Sequence, residues 1–184
     1  MTRYAAFLRA INVGGHTVKM ADLKLAFEAL GHAHVETFIA SGNVIFDLRL
    51  PKKSVKKLEA EIEAHLHQTL GYAVATFLRT LPELAQVAAY RPFGAAQLGE
   101  KETLYVSFVK REPSAEAQRK TMAFKNAIDD FHIHGREVYW LRRAQFGESK
   151  STGALLERAL GAQATARNMT TVTKMAAKYP PTDA

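Results

Sequence analysis

The feature that most narrows the fold of this chain is a change of hydrophobic period that happens twice in the same order. From Tyr4 to Ile11 an apolar run, broken only by Arg9, predicts a strand. Met20, Leu23, Phe27 and Leu30 then fall at helical spacing, and Gly31 stops them. Two β-rich runs follow in HVETFIASGNVIFDL, joined at Ser41–Gly42–Asn43, which predicts a hairpin. Pro51 opens a second helix, with Val55, Leu58, Ile62, Leu66 and Leu70 as its buried stripe and Gly71 at its end. YAVATFLRT is the next strand. Thr80 and Glu83 then have capping-box spacing ahead of a connecting helix near Leu81 to Ala89, with Pro82 close to its first turn.

The loop RPFGAAQLGEKE separates this series from a second one. TLYVSFVK is a strand, Ser114 to about Ile128 a helix, and DFHIH with EVYWLR a hairpin turning at Gly135. Thr152 to Leu160 is a helix ending at Gly161, AQATA a short strand, and Thr170 to Lys178 a final helix stopped by Pro180 and Pro181. A β-α-β-β-α-β series closes as an antiparallel sheet with its two helices on one face. The expectation is therefore an α+β protein of two ferredoxin-like subdomains, residues 1–80 and 103–184. Residues 81–102 supply the linking helix and loop. The halves share a pattern and no visible sequence repeat.

That topology makes a statement about chemistry. In the common strand order the first and third strands are antiparallel neighbours. The end of the first strand then lies beside the Ser41–Gly42–Asn43 turn and the start of the first helix. Arg9, Asn12, Gly14, Gly15, Lys19, Ser41, Gly42 and Asn43 gather at one sheet end. Glycines let the backbone turn sharply and a ligand come close. A helix start offers unpaired N–H groups and positive partial charge, where a lysine is unfavourable without a nearby anion. The competing reading is structural: the glycines and asparagines make turns, and Lys19 is solvated. The second half has similar clusters, Ser149–Lys150–Ser151–Thr152 and Thr165, Arg167 and Asn168, each ahead of a helix. Capping accounts for the hydroxyls and the amide there, and leaves Lys150 and Arg167 to be explained. Lys52, Lys53, Lys56 and Lys57 form a further basic patch with the character of a charged surface.

Other function classes are excluded or left without a signature. There are no cysteines, so disulfides, thiolate metal sites and cysteine nucleophiles are absent. The nucleotide fingerprints G-x-G-x-x-G and G-x-x-x-x-G-K-[ST] do not occur, and neither does G-x-S-x-G. Three His-x-His pairs, at His32/His34, His65/His67 and His132/His134, have no partner at recognisable metal spacing, so no metal site is assigned. NVIFDL lacks the basic-aromatic signature of RNA-recognition sheets, which marks Phe7 and Phe46 as core. No run of about 18 apolar residues exists. With no secretory pattern in MTRYAAFLRA, the expectation is a cytoplasmic protein away from membranes. The net charge is +7, and residues 142–184 carry seven Lys or Arg against three acids. That balance admits phosphate-bearing partners as well as a plain basic surface.

These residues together resemble the domain-of-unknown-function 1697 family (DUF1697). The resemblance rests on LRAINVGG followed by VKM, VETFIASGNVIF, RT before the capping box, RPF, SK at Ser149–Lys150, and TARNMTTVTK. Two departures are visible: Met169 stands where the family usually has an aromatic, and the loop from Gly147 to Gly153 is atypical. The resemblance implies a bacterial-type α+β protein with two ferredoxin-like subdomains and supplies no activity. It also implies that Arg9, Asn12, Lys19, Ser41, Asn43, Arg167 and Asn168 are motif residues. The leading expectation is a small-anion or nucleotide site, with Arg9, Lys19, Lys150 and Arg167 as cations. Asn12, Ser41, Asn43 and Asn168 would be its neutral donors, and Gly14, Gly15 and Gly42 its points of close approach. The alternatives are a module binding nucleic acid weakly and without specificity, and a protein whose motifs form an internal polar network. Reaction, cofactor and oligomeric state are not assigned.

Overall fold

The computed structural model describes residues 2–12, 17–39, 42–48, 54–94, 99, 101–143 and 151–181. The first series is β1 (Thr2–Leu8), α1 (Met20–Ala29), β2 (Ala33–Thr37), β3 (Asn43–Leu48), α2 (Val55–Leu70), β4 (Thr76–Thr80) and α3 (Leu81–Ala89). The second is β5 (Thr103–Phe108), α4 (Ala115–Met122), β6 (Asp129–His134), β7 (Glu137–Arg142), α5 (Gly153–Leu160), β8 (Thr165–Asn168) and α6 (Met169–Lys178). Each series builds a four-stranded antiparallel sheet, β2-β3-β1-β4 and β6-β7-β5-β8. The fold is thus α+β with two similar subdomains. The chain divides into one compact unit of residues 1–85 with 178–184 and a second of residues 86–177.

Alternation decides which side of each sheet the helices cover. Tyr4, Ala6 and Leu8 of β1, Val44 and Phe46 of β3 and Leu78 of β4 pack with Leu23 and Phe27 of α1 and Leu58, Ile62 and Leu66 of α2. The intervening residues Ala5, Phe7, Ile45 and Phe77 are fully buried as well. With Phe7 and Phe46 both at 0% exposure, neither ring is a stacking platform for a base. In the second unit Val138, Trp140 and Phe131 pack with Leu156 and Leu160 of α5.

β4 is an edge strand, and its outward N–H groups need partners. Glutamates on the helices supply them. Glu63 of α2 accepts from the Thr76 N–H at 2.7 Å, Glu59 from Leu78 at 3.0 Å, and Glu83 of α3 from Thr80 at 2.7 Å. The spacing works because four helical residues rise about 6 Å and two strand residues about 6.6 Å. Thr80 and Glu83 complete the predicted capping box, since Thr80 Oγ1 accepts from the Glu83 N–H at 3.3 Å.

Several boundaries differ from the sequence expectation, among them β4, which begins at Thr76 rather than Tyr72, and α2, which is described from Val55 rather than Pro51. β1 stops at Leu8, because Ala10 takes a left-handed φ of 57° and the Arg9 N–H turns to Ala75 O at 2.8 Å. α4 stops at Met122, well before Ile128. Asn126 Oδ1 takes the Ile128 and Asp129 N–H groups at 2.8 and 3.0 Å, a local alternative to helix. The last strand begins at Thr165, because the Ala164 N–H bonds Glu157 of α5 at 2.8 Å.

Candidate functional site

Three segments converge at the C-terminal end of β1. The Leu8 N–H donates to Gly42 O at 2.8 Å, which ties β1 to the hairpin turn. The Arg9 N–H donates to Ala75 O at 2.8 Å, and Tyr72 Oη donates to Ile11 O at 3.0 Å, which ties it to the segment leading into β4. Asn12 Oδ1 accepts the Val18 N–H at 2.7 Å, which brings Lys19 and the start of α1 to the same place. Arg9, Asn12, Lys19, Gly42 and Asn43 therefore share one end of the first sheet. Gly14, Gly15, Ser41 and Lys150 lie outside the described residues. Arg167 and Asn168 belong to the second unit.

The local roles of these residues separate them. Asn12 holds the backbone just ahead of α1 through its bond to Val18. Gly42 is fixed by geometry: its φ is +70°, and a Cβ there would lie 2.5 Å from Ile11 Cγ2 and 3.2 Å from Leu8 Cβ. Asn43 is 0% exposed, and its amide donates to Phe38 O at 3.0 Å across the mouth of the hairpin. Asn168 Oδ1 accepts the Thr170 N–H at 2.8 Å and caps α6. Arg167 is not a solvated cation. It lies within β8, is 9% exposed, and donates from Nη1 to Thr165 Oγ1 and Ala166 O, both at 2.9 Å. Burial lowers its pKa to about 10, so it stays protonated at neutral pH.

Lys19 is different. It is exposed and stands at the N-cap of α1 with no side-chain capping bond. Ser54, Ser114, Thr152, Thr80 and Asn168 cap the other five helices among the described residues. An ammonium group donates only, and at this position it opposes the helix dipole, a cost of about 0.3–1 kcal/mol. Arg9, a second cation at this sheet end, is half-buried.

Capping yields a direct expectation for the second unit. Asn168→Ala should lower stability by about 1 kcal/mol in urea melts. Asn168→Asp should recover most of it, because a carboxylate caps equally well and suits the dipole.

Of the remaining clusters, the His132/His134 pair packs on Tyr90, and Lys52 and Lys53 lie outside the described residues. His132 Nε2 shares a hydrogen bond with Tyr90 Oη at 2.8 Å, and His134 stacks on the Tyr90 ring at 4.4 Å. No group of three or more His, Cys, Asp or Glu residues could hold a metal ion among the described residues, and no described helix is long and apolar enough to cross a membrane. A cavity of about 400 Å³ lies in the first unit between Leu30, Leu48 and Leu58, with His32 and His65 on its wall. None of the motif residues lines it.

Sequence reasoning gave no role to Glu59, which is 2% exposed, or to Arg79, which entered only as part of the RT motif, is 1% exposed and donates to Leu78 O at 2.8 Å. Glu59 is adjacent to Leu58 on α2 and falls beside the apolar stripe, which is the one signal that could have marked it.

The family model described as protein of unknown function (DUF1697) matches residues 1–139. Among solved structures, the conserved bacterial protein SP0830 from Streptococcus pneumoniae is similar, with 24% identity, coverage of 98% of this chain and 99% of that one, and a TM-score of 0.72. At that identity the likeness is one of fold. None of the curated proteins matches the chain.

Proposed function

Because the chain belongs to the DUF1697 family of proteins of unknown function, we propose a function from its own residues: it binds a small phosphate- or carboxylate-bearing ligand at the N-terminus of α1. The observation that carries this reading is the exposed, uncapped Lys19 at that helix start. Arg9 at the same sheet end is the second cation, and its planar guanidinium can pair a phosphate or carboxylate through two bonds. The first-turn N–H groups of α1 supply directional donors, and the dipole that Lys19 opposes favours an anion. Gly14 and Gly15, between Asn12 and Lys19 in sequence, would let the ligand approach the backbone. Asn12, Gly42 and Asn43 hold the frame, and Asn168 and Arg167 serve the second unit. We place the protein in the cytoplasm, in keeping with a cysteine-free chain.

Thermal melts test this reading. Inorganic phosphate, pyrophosphate and nucleotides, compared with chloride at equal ionic strength, should raise the melting temperature saturably. Lys19→Ala and Arg9→Ala should remove that rise. Lys19→Ala should leave the anion-free melting temperature unchanged or slightly higher. A rise that persists in both variants would reject the site. Labelled RNA or DNA should bind only weakly and lose that binding steeply with salt, since counterion release drives such contacts.

A further inference from the structure

The two halves correspond residue by residue. In the first sheet Arg79 pairs Ala5, Ala5 pairs Ile45, and Ile45 pairs Glu36. In the second, Arg167 pairs Val106, Val106 pairs Tyr139, and Tyr139 pairs His132. Each arginine is buried and donates from Nη1 to the carbonyl of the residue before it, Leu78 at 2.8 Å and Ala166 at 2.9 Å. Three residues ahead of each arginine a backbone N–H bonds a glutamate on the preceding helix: Thr76 to Glu63 at 2.7 Å, and Ala164 to Glu157 at 2.8 Å. Each arginine is followed, two residues on, by the first residue of a helix, α3 or α6. Each of these helices is followed directly by a tyrosine, Tyr90 or Tyr179.

The tyrosines break the parallel in an informative way. Tyr90 follows the helix of Arg79, yet it bonds His132 of β6 in the Arg167 row at 2.8 Å. Tyr179 follows the helix of Arg167, yet its hydroxyl donates to Glu36 of β2 in the Arg79 row at 2.9 Å. The unit boundaries follow the same crossing. The chain enters the second unit within α3, after Ala85, and re-enters the first at Lys178. β2 and β6 are edge strands of their sheets.

We infer that Tyr90 and Tyr179 are reciprocal anchors, each seating the chain on an edge strand of the unit it has just entered, and that the two are latches of different chemistry. The Tyr179 latch is ionic. The Arg3 guanidinium lies 5.5 Å and the Lys178 ammonium 4.9 Å from its ring centre. Its acceptor Glu36 also takes Arg3 Nη2 at 2.9 Å and faces Lys178 Nζ at 3.7 Å. Burial alone would raise the Glu36 pKa. The Tyr179 hydrogen bond and the charges of Lys178 and Arg3 outweigh it and hold the carboxyl below its usual range. The Tyr90 latch is made of rings: His134 stacks at 4.4 Å and 17°, and Tyr139 lies at 5.2 Å.

Hydrogen exchange of the full chain, read by mass spectrometry over residues 33–37 and 129–134, tests the pair. Tyr179→Ala should speed exchange in β2 about tenfold and leave β6 unchanged, and Tyr90→Ala should do the reverse. Tyr179→Phe and Tyr90→Phe, which keep the rings, should show the same crossed pattern at smaller size and stand in if an alanine variant does not fold. In the unsubstituted protein, raising salt to about 1 M should speed exchange in β2 more than at residues 131–134 of β6, because the Tyr179 latch depends on charge while the ion pairs of β6, Asp130 with Lys125 and Arg143, lie at its other end. Faster exchange in both strands from either phenylalanine variant, or no change in the strand each tyrosine bonds, overturns the inference. An equal salt response of the two strands overturns the assignment of separate chemistries.

Discussion

Gly42→Ala is expected to destabilise the protein by about 2–5 kcal/mol, read from the urea midpoint at constant slope. Two costs add. The residue sits at φ +70°, where an alanine pays about 1–2 kcal/mol. The new methyl would also fall 2.5 Å from Ile11 Cγ2, and Ile11 is only 3% exposed and β-branched, so it has little room to yield. Gly31 and Gly71 also have positive φ, but a Cβ at either meets nothing within 4 Å. Alanine there should cost only the backbone strain, which makes Gly31→Ala a control for the clash.

Glu59→Ala should cost about 2–3 kcal/mol, the range for stranding a buried donor whose acceptor was charged. The carboxylate is 2% exposed and accepts the Leu78 N–H at 3.0 Å on the outer edge of β4. Removing it leaves that N–H facing the sheet edge without its acceptor. Glu59→Gln keeps a carbonyl oxygen in place and should lose clearly less. Chemical denaturation of the two variants side by side separates the lost acceptor from the lost charge, and equal losses would argue against the edge-strand role.

How far the sequence could be read depended on whether a residue's role was local. The doubled order of periods was enough for two antiparallel sheets, because it is written in stripes such as Leu58, Ile62 and Leu66. The Thr80–Glu83 box was visible for the same reason, both partners being three residues apart. Glu59 and Glu63 were hidden, since a carboxylate next to an apolar stripe looks like the solvent face of α2 until β4 is laid beside it. Arg79 and Arg167 match each other only through strand pairing, so the residue-level correspondence of the halves was invisible while the pattern-level one was plain. Arg9, Asn12, Lys19, Gly42 and Asn43 do lie at one sheet end, as the strand order implied. The chemistry each performs there was not legible, because Asn12 and Asn43 bond backbone groups six and five residues away, and an asparagine looks the same in sequence whether it binds a ligand or the backbone.

The proposal that α1 holds an anion is tested most directly by following the backbone amides of Met20, Ala21 and Asp22 by NMR as pyrophosphate is added at constant ionic strength. The account predicts saturable shifts centred on these three amides, abolished by Arg9→Ala and by Lys19→Ala, with little change at Asn168 or Thr170. Shifts confined to the exposed lysines Lys56 and Lys57, or none at the start of α1, would contradict it.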